Sequence, residues 1–308
     1  MESHWTFPSR SPWARMPGME TTALLLIVFS AVMHALWNLL VKQSRDKTIF
    51  IWWMFASAFS MMTLMGLATG RVLPPLTPRY LLLAASAAFC FVLYHWSTGR
   101  AYRDGDLSMT YPLAQTSMLY VPIWGALLLD EQLTYLGLTG ILMIIAGAYC
   151  IQLRKLSWGE ILRPFSSLNN RSVQAALFAG LIYSVGALID KVGVNTYSAY
   201  HFTYVLVFFM LSIMSLNLLR PCYRGRILAE WNNSRSLVLL SGPVMLASFL
   251  TFRYGLQMAP VSYAVPVRQV SLLIGVLIGI YWLGETCGRI RLSSACLILF
   301  GVMLVWHG

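Results

Sequence analysis

The chain has 308 residues, 58% of them hydrophobic and only 11% charged, with a mean hydropathy of +0.66 and a formal net charge of +11. A soluble domain carries about 25% charged residues to cover its surface, so this composition excludes an ordinary soluble protein and describes one solvated mainly by lipid. The basic balance does not mark a nucleic-acid binder: the sequence holds no basic cluster with interleaved aromatics, and basic loops between apolar blocks reflect orientation and anionic lipid.

Residues 1–19 contain Arg10 and Arg15 but no apolar core, and are expected to be a short flexible N-terminal arm or an over-long start. A hydrocarbon core of about 30 Å needs roughly 20 helical residues. Apolar blocks of that length follow at about 22–41, 49–69, 80–101, 107–129, 135–153, 173–193, 199–219, 236–256, 261–283 and 290–306. Alternation of period two is absent, which rules out barrel strands. The expected fold is therefore all-α and integral to the membrane, with ten transmembrane helices. The connection 154–172 separates a first unit, 20–153, from a second, 173–308, with five helices in each.

In the first block His34, Asn38 and Lys42 are spaced by four and share one helix face. His34 lies twelve residues beyond Thr22, about 18 Å along a helix and just past mid-bilayer. A polar side chain there marks either a cavity or a hydrogen bond to a neighbouring helix. Lys42 can snorkel to the interface and act as an anchor. In the third block Tyr94 offers an aromatic ring with a polar tip, suited to a cavity for amphipathic metabolites or to interfacial placement. Trp52, Trp53, Tyr200 and His201 belong to the interface on the second argument.

The fourth block carries a segment, SMTYPLAQTSMLYVPIWGALLLDE at 108–131, that returns 154 positions later as SYAVPVRQVSLLIGVLIGIYWLGE. Eight of the 24 aligned positions are identical, among them Ser108/Ser262, Pro112/Pro266, Gln115/Gln269, Gly125/Gly279 and Glu131/Glu285. Pro112 and Pro266 each remove a backbone donor and crowd the carbonyl four residues earlier, so each is expected to kink its helix and serve as a gating position. Within a bilayer such a break survives where protein or cavity water satisfies the freed carbonyl. Gln115 and Gln269, one turn later, suit either substrate or an interhelical hydrogen bond, and Tyr111 precedes Gln115 by one turn. Glu131 and Glu285 end their helices and are expected to cap the turn into the next helix. The sixth block aligns FAGLIYSVGALIDK (178–191) with FSAVMHALWNLLVK (29–42), pairing Tyr183 with His34 and Lys191 with Lys42. Five helices per unit force two copies into opposite orientations, with a pseudo-two-fold axis in the membrane plane.

Arg268 breaks the repeat, because its counterpart is Ala114. It lies about 10 Å into its span, where an ionisable residue faces the bundle interior and needs a partner. Asp190, near a helix end, is one partner; an anionic substrate is the other. The five cysteines, Cys90, Cys150, Cys222, Cys287 and Cys296, show no paired spacing and form neither a zinc site nor a disulfide framework. No metal or cofactor is implied.

HALWNLLVK (34–42), DLSMTYPLAQTS (106–117), Glu131 and GILMIIAGAY (140–149), repeated as APVSYAVPVRQ (259–269), LGE (283–285) and LFGVMLV (299–305), resemble the EamA-type branch of the drug/metabolite transporter superfamily. The resemblance covers about residues 20–306 and implies a ten-helix secondary transporter with a central cavity and alternating access. It implies no substrate, since relatives handle amino acids, sugars, nucleotide-linked metabolites and drugs.

Three classes compete. A secondary transporter accounts for the doubled segment and the buried arginine. An intramembrane enzyme lacks its motifs: there is no G-x-S-x-G, no H-E-x-x-H and no pair of intramembrane aspartates. A non-transporting scaffold or accessory subunit needs neither symmetric gates nor a buried cation. The cavity candidates are thus His34, Asn38, Tyr94, Tyr111, Gln115, Tyr183, Arg268 and Gln269. A guanidinium grips a carboxylate, phosphate or phosphonate with two parallel bonds, so the expected cargo is a small polar metabolite, anionic or zwitterionic. The other partner is the bilayer, a homodimer is left open, and the expected location is the plasma membrane, as in the bacterial inner membrane. Loops after odd-numbered helices carry 15 Lys and Arg, whereas the remaining loops and the arm carry five. The positive-inside rule then puts both termini outside, whereas relatives in the family are described with termini inside.

Overall fold

Lipid cannot satisfy a backbone amide, so a chain this apolar must close its hydrogen bonds within each segment, and helices do so locally. The computed structural model describes residues 19–70, 76–104, 110, 113–151, 153, 155–163, 168–283 and 288–308, and among them there is no strand. The helices are α1 (Thr21–Gln43), α2 (Lys47–Ala68), α3 (Pro78–Asp104), α4 (Ser117–Leu129), α5 (Tyr135–Cys150) and α6 (Trp158–Leu162). They continue with α7 (Arg171–Thr196), α8 (Ala199–Leu218), α9 (Arg224–Met258), α10 (Val261–Val267), α11 (Val270–Leu283) and α12 (Arg289–His307). Seven of them (α1, α2, α3, α7, α8, α9 and α12) are long and apolar enough to cross a bilayer, while the apolar segments Ser117–Leu129, Tyr135–Cys150 and Val261–Leu277 are shorter.

Local chemistry sets the ends. Asp46, Thr134 and Asn170 accept from the backbone N–H of Ile49, Gly137 and Ser172 and start α2, α5 and α7. Asp130 terminates α4 in the left-handed region at φ 54°, with the N–H of Glu131 returning to the Gly125 carbonyl at 3.1 Å. Leu25, Leu64, Leu82, Leu127, Leu142, Phe300 and Met303 are exposed on the outside, as lipid requires. Ile27, Phe55, Met62, Tyr80, Phe202 and Tyr263 are buried between helices.

Helix contacts follow the duplication. α1 packs on α9 as α7 packs on α3; α2 meets α9 as α8 meets α3; and α1 meets α11 as α7 meets α4. The pairs α5/α12 and α2/α8 map onto themselves, and α4 meets α10 across the two halves. Between α5 and α12 the backbones touch: a Cβ on Gly140 would strike the Gly301 carbonyl oxygen, and one on Gly301 the Gly140 carbonyl oxygen. Small residues at such a crossing let dispersion act between backbones that lipid cannot drive together. Two pairs break the symmetry. α9 packs against both α7 and α8, whereas the repeat-related α3 makes far less contact with α1 and α2.

Two connections differ from expectation. The stretch expected as a loop at 220–235 is largely helical, because α9 begins at Arg224 and passes through a non-helical Ser234 (φ −131°, ψ 18°) before its membrane portion. Side chains fix this first portion to the α1–α2 turn. Arg226 Nε donates to Asp46 at 2.7 Å, Glu230 accepts from the Asp46 N–H at 2.9 Å, and Trp231 lies 4.7 Å from Trp53. Trp52 and Trp53, expected at the lipid interface, are half-buried and donate to Ser215 Oγ and to the Ile227 carbonyl. The connection 154–172 holds the short helix α6.

Candidate functional site

Two helices are interrupted at repeat-related places. α10 stops at Val267, a turn covers Arg268 and Gln269, and α11 resumes at Val270; the first repeat turns at Gln115 and Thr116 before α4. The backbone crosses both breaks on tightened three-residue bonds, Gln269 N–H to Pro266 O at 2.9 Å and Thr116 N–H to Leu113 O at 3.2 Å. Pro266 lies inside the last turn of α10, so the interruption follows the proline and the kink expected at the preceding turn is not where the helix yields. Tyr111 and Pro112 lie outside the described residues. The breaks bring the two glutamines together, Gln269 Nε2 donating to Gln115 Oε1 at 3.3 Å. Because these residues are repeat-related, the local two-fold axis passes between them.

Around that pair lies a cavity of about 620 Å³ lined by His34, Asn38, Tyr94, Gln115, Tyr183, Arg268 and Gln269. Seven of the eight candidates from the sequence therefore face one space. Apolar wall comes from Met54 and Phe55 on α2, Met210 on α8, and Met245, Phe249 and Phe252 on α9. The Tyr94 and Tyr183 rings lie 5.0 Å apart, and Asn38 uses its amide nitrogen within α1, donating to the His34 carbonyl at 2.9 Å. His95, beside Tyr94 in the third block, and Ser117, repeated as Ser271, also line the cavity together with Trp37; of these only Trp37 has no feature in the sequence that separates it from ordinary core residues.

The charges are unevenly partnered. Asp190 was expected near a helix end as a partner for Arg268. α7 continues to Thr196, so Asp190 sits well inside the helix, 2% exposed, and its carboxylate takes Arg253 Nε at 2.8 Å. Arg253 also lies over the Phe249 ring at 5.1 Å. The signal for this pair was present in the sequence, since an arginine amid the apolar run of α9 requires a partner and Asp190 was the available carboxylate. Arg268 is left without a carboxylate among the described residues. It donates through Nη2 to His34 Nδ1 at 3.2 Å and to Ser248 Oγ at 3.5 Å, lies 4.3 Å over the Phe252 ring, and keeps a buried Nε with no partner. Arginine only donates, so His34 Nδ1 accepts and the ring is the neutral tautomer with its hydrogen on Nε2.

The cavity reaches Lys42, Lys47, Tyr102 and Arg291 at the helix ends of one face. The opposite face is shut by bonds within the second repeat and between the two repeats. Lys191, counted from sequence as a loop cation, is 3% exposed, and its Nζ donates to the carbonyls of Leu256 at 2.6 Å and Ala259 at 2.9 Å, closing the end of α9. Its counterpart Lys42 is exposed at the open mouth. Glu131 does not cap the turn into its own next helix. It reaches across to α10, accepting from Val261 N–H at 2.7 Å, Ser262 N–H at 3.0 Å and Ser262 Oγ at 2.5 Å. Gly125 leaves room for both partners, since a Cβ there would strike Ser262 Oγ and the Glu131 carboxylate. This contact explains why the repeated segment keeps Ser, Gly and Glu together; the counterparts Ser108 and Glu285 lie outside the described residues. Tyr263 accepts the Thr134 N–H at 3.1 Å on the same face. Tyr200, expected at the interface, is buried and donates to the Met62 carbonyl at 2.6 Å.

A family model described as the EamA-like transporter family matches residues 21–153 and again 170–306. No protein of curated function matches the chain. Among solved structures, a crystal structure described only as that of a protein superposes with a TM-score of 0.71 over 92% of this chain and 98% of the other, at 17% identity. At that identity the likeness is one of fold.

Removing one member of the Asp190–Arg253 pair strands a buried charge, which costs about 3–5 kcal/mol, whereas replacing both with apolar or neutral groups costs far less. Asp190→Asn is therefore expected to lower the Tm of the purified protein in detergent, and adding Arg253→Met to recover most of the loss. Equal Tm values for wild type and Asp190→Asn contradict the pairing.

Proposed function

The chain belongs to the EamA-like transporter family, and on that premise we propose that it is a secondary transporter moving a small polar metabolite across the plasma membrane by alternating access. In this reading ten helices form two five-helix repeats, 20–153 and 173–308, inserted in opposite orientations. The exchange of helix contacts between the halves supports that arrangement, as does the meeting of Gln115 with Gln269. The family is one of transporters rather than enzymes.

Alternating access needs two gates that are equivalent by symmetry and unequal at any moment. Lys191 is engaged and Lys42 is exposed; α7 touches α9 and α1 stands off from α3. That inequality is what one state of such a cycle requires. The other state would engage the Lys42 end and release Glu131 and Lys191. Pro266 and Pro112 mark the helices that pivot.

The observation that carries the substrate assignment is Arg268, a cation with no paired carboxylate among the described residues, beside a neutral histidine in a cavity open to one face. His34, Asn38, Tyr94, Tyr183, Gln115 and Gln269 supply hydrogen bonds around it, and Tyr111 joins them by sequence position. The cargo is accordingly anionic or zwitterionic, with a carboxylate, phosphate or phosphonate for the guanidinium fork. A lipophilic cation would require a free intramembrane carboxylate, and Asp190 is already committed to Arg253.

Proteoliposome uptake with an amino acid, an organophosphonate and a cationic dye tests this reading. One of the two acidic compounds is expected to be carried, Arg268→Lys to raise its KM by about tenfold through loss of the fork, and Arg268→Gln to abolish transport. Dye transport that survives Arg268→Gln would overturn the assignment and make Arg268 structural.

The open mouth lies on the face with the larger share of Lys and Arg, which the positive-inside rule places in the cytoplasm. A reporter fused after Lys155 is expected to read the cytoplasm and one after Gly308 the outside; both on one side would refute the ten-span topology.

A further inference from the structure

A second cleft, of about 560 Å³, lies on the outer side of the α3/α7 pair and is separate from the central cavity. Its walls are graded along the membrane normal. Arg100, one turn from the end of α3, and Arg171, the first residue of α7, stand together at the rim on the basic face. Ser97 and Gln174 come next. Trp96 and Phe178, 44% and 45% exposed, line the cleft deeper toward the hydrocarbon.

Both arginines are exposed and neither has an ion pair among the described residues. Two cations at one rim repel each other, and an anion between them removes that cost. The position repeat-related to Arg171 is Thr22, so the feature is not inherited from the internal symmetry that explains so much else in the fold. The vertical order of charge, hydrogen-bonding group and aromatic surface matches the order of phosphate, glycerol ester and acyl chain in a phospholipid. Basic pockets between helices at a membrane surface take anionic headgroups, and tryptophan prefers the depth at which headgroup meets chain.

We infer that the α3/α7 cleft is a binding site for one anionic phospholipid. The phosphate lies between the Arg100 and Arg171 guanidiniums, the ester region meets Ser97 and Gln174, and one acyl chain runs along Trp96 and Phe178. Such a lipid ties the end of α3 to the start of α7, across the boundary between the two halves of the chain.

Native mass spectrometry of the full chain, released from detergent after titration with phosphatidylglycerol or phosphatidylcholine, tests the inference. Wild type is expected to retain one phosphatidylglycerol in preference to phosphatidylcholine. Each interfacial arginine contributes a factor of about five to anionic-lipid affinity, so the double variant Arg100→Gln, Arg171→Gln is expected to lose about thirtyfold for phosphatidylglycerol and nothing for phosphatidylcholine. Trp96→Ala should weaken phosphatidylglycerol several-fold with both arginines in place, and millimolar inorganic phosphate should not displace the lipid. Equal retention of the two lipids by wild type, or a preference that survives the double variant with its Tm unchanged, overturns the proposal. Displacement by inorganic phosphate overturns it too, because the cleft then holds a free anion and not a lipid.

Discussion

A broken helix in a membrane leaves backbone donors and acceptors that lipid cannot satisfy, and the answer to that constraint organises this molecule. The ninth apolar block is interrupted, and the start of α10 is capped by a carboxylate from the other half of the chain. Glu131 supplies three acceptor contacts to Val261 and Ser262, while the Lys191 ammonium closes the carbonyls at the end of α9. Both caps sit on one face. Both satisfy the local hydrogen bonding of a helix junction; the Glu131 contacts also hold the two halves together there, while Lys191 joins α7 to α9 within the second half. In the proposed cycle the cap between the halves would be exchanged for its symmetry mate, each state leaving one junction capped by protein and the other open to water.

The cavity chemistry follows from the same geometry. Breaking the helices at 115–116 and 268–269 frees side chains that a continuous helix would bury against its neighbours, and it sets Gln115 and Gln269 on the axis. The asymmetry comes from one residue. Arg268 has no basic counterpart, and its surroundings give it a histidine, a serine, the Tyr183 hydroxyl and the face of Phe252 but, among the described residues, no carboxylate paired with it. The neighbouring Asp190–Arg253 pair keeps a negative charge close without donating it to Arg268. An acidic group entering from the open face meets a cation that the protein has left incompletely satisfied.

The helical architecture was legible in hydropathy, because apolar blocks of fixed length have one solution in lipid. The duplicated segment pointed to the broken helices, and seven of the eight cavity candidates drawn from it and from α1, α3 and α7 line one space. What the sequence hid were contacts between segments distant along the chain. Glu131 was assigned to its own turn, because spacing along the chain carries no information about a partner 130 residues away. Lys191 was placed in a loop, since snorkelling and burial look alike in one dimension. The helical start of α9 was read as a connection, for its charged residues conceal a segment fixed by Asp46, Glu230 and Trp53. Pro266 was expected to bend the turn before it, whereas the three-residue bonds put the yield point after it.

The central claim is that the Glu131 and Lys191 seal is one of two mutually exclusive closures. Double electron–electron resonance tests it most directly, in a protein whose native cysteines are replaced and which carries nitroxide pairs at Gln43 and Gly99 on one face or at Thr196 and Tyr254 on the other. On this account the Thr196–Tyr254 distance is the short, narrow one in the parent. Glu131→Gln should then lengthen it while shortening Gln43–Gly99, with the two populations shifting in the same proportion. Distances that move in the same sense, or a Thr196–Tyr254 distance that stays fixed when the cap is removed, would contradict the account.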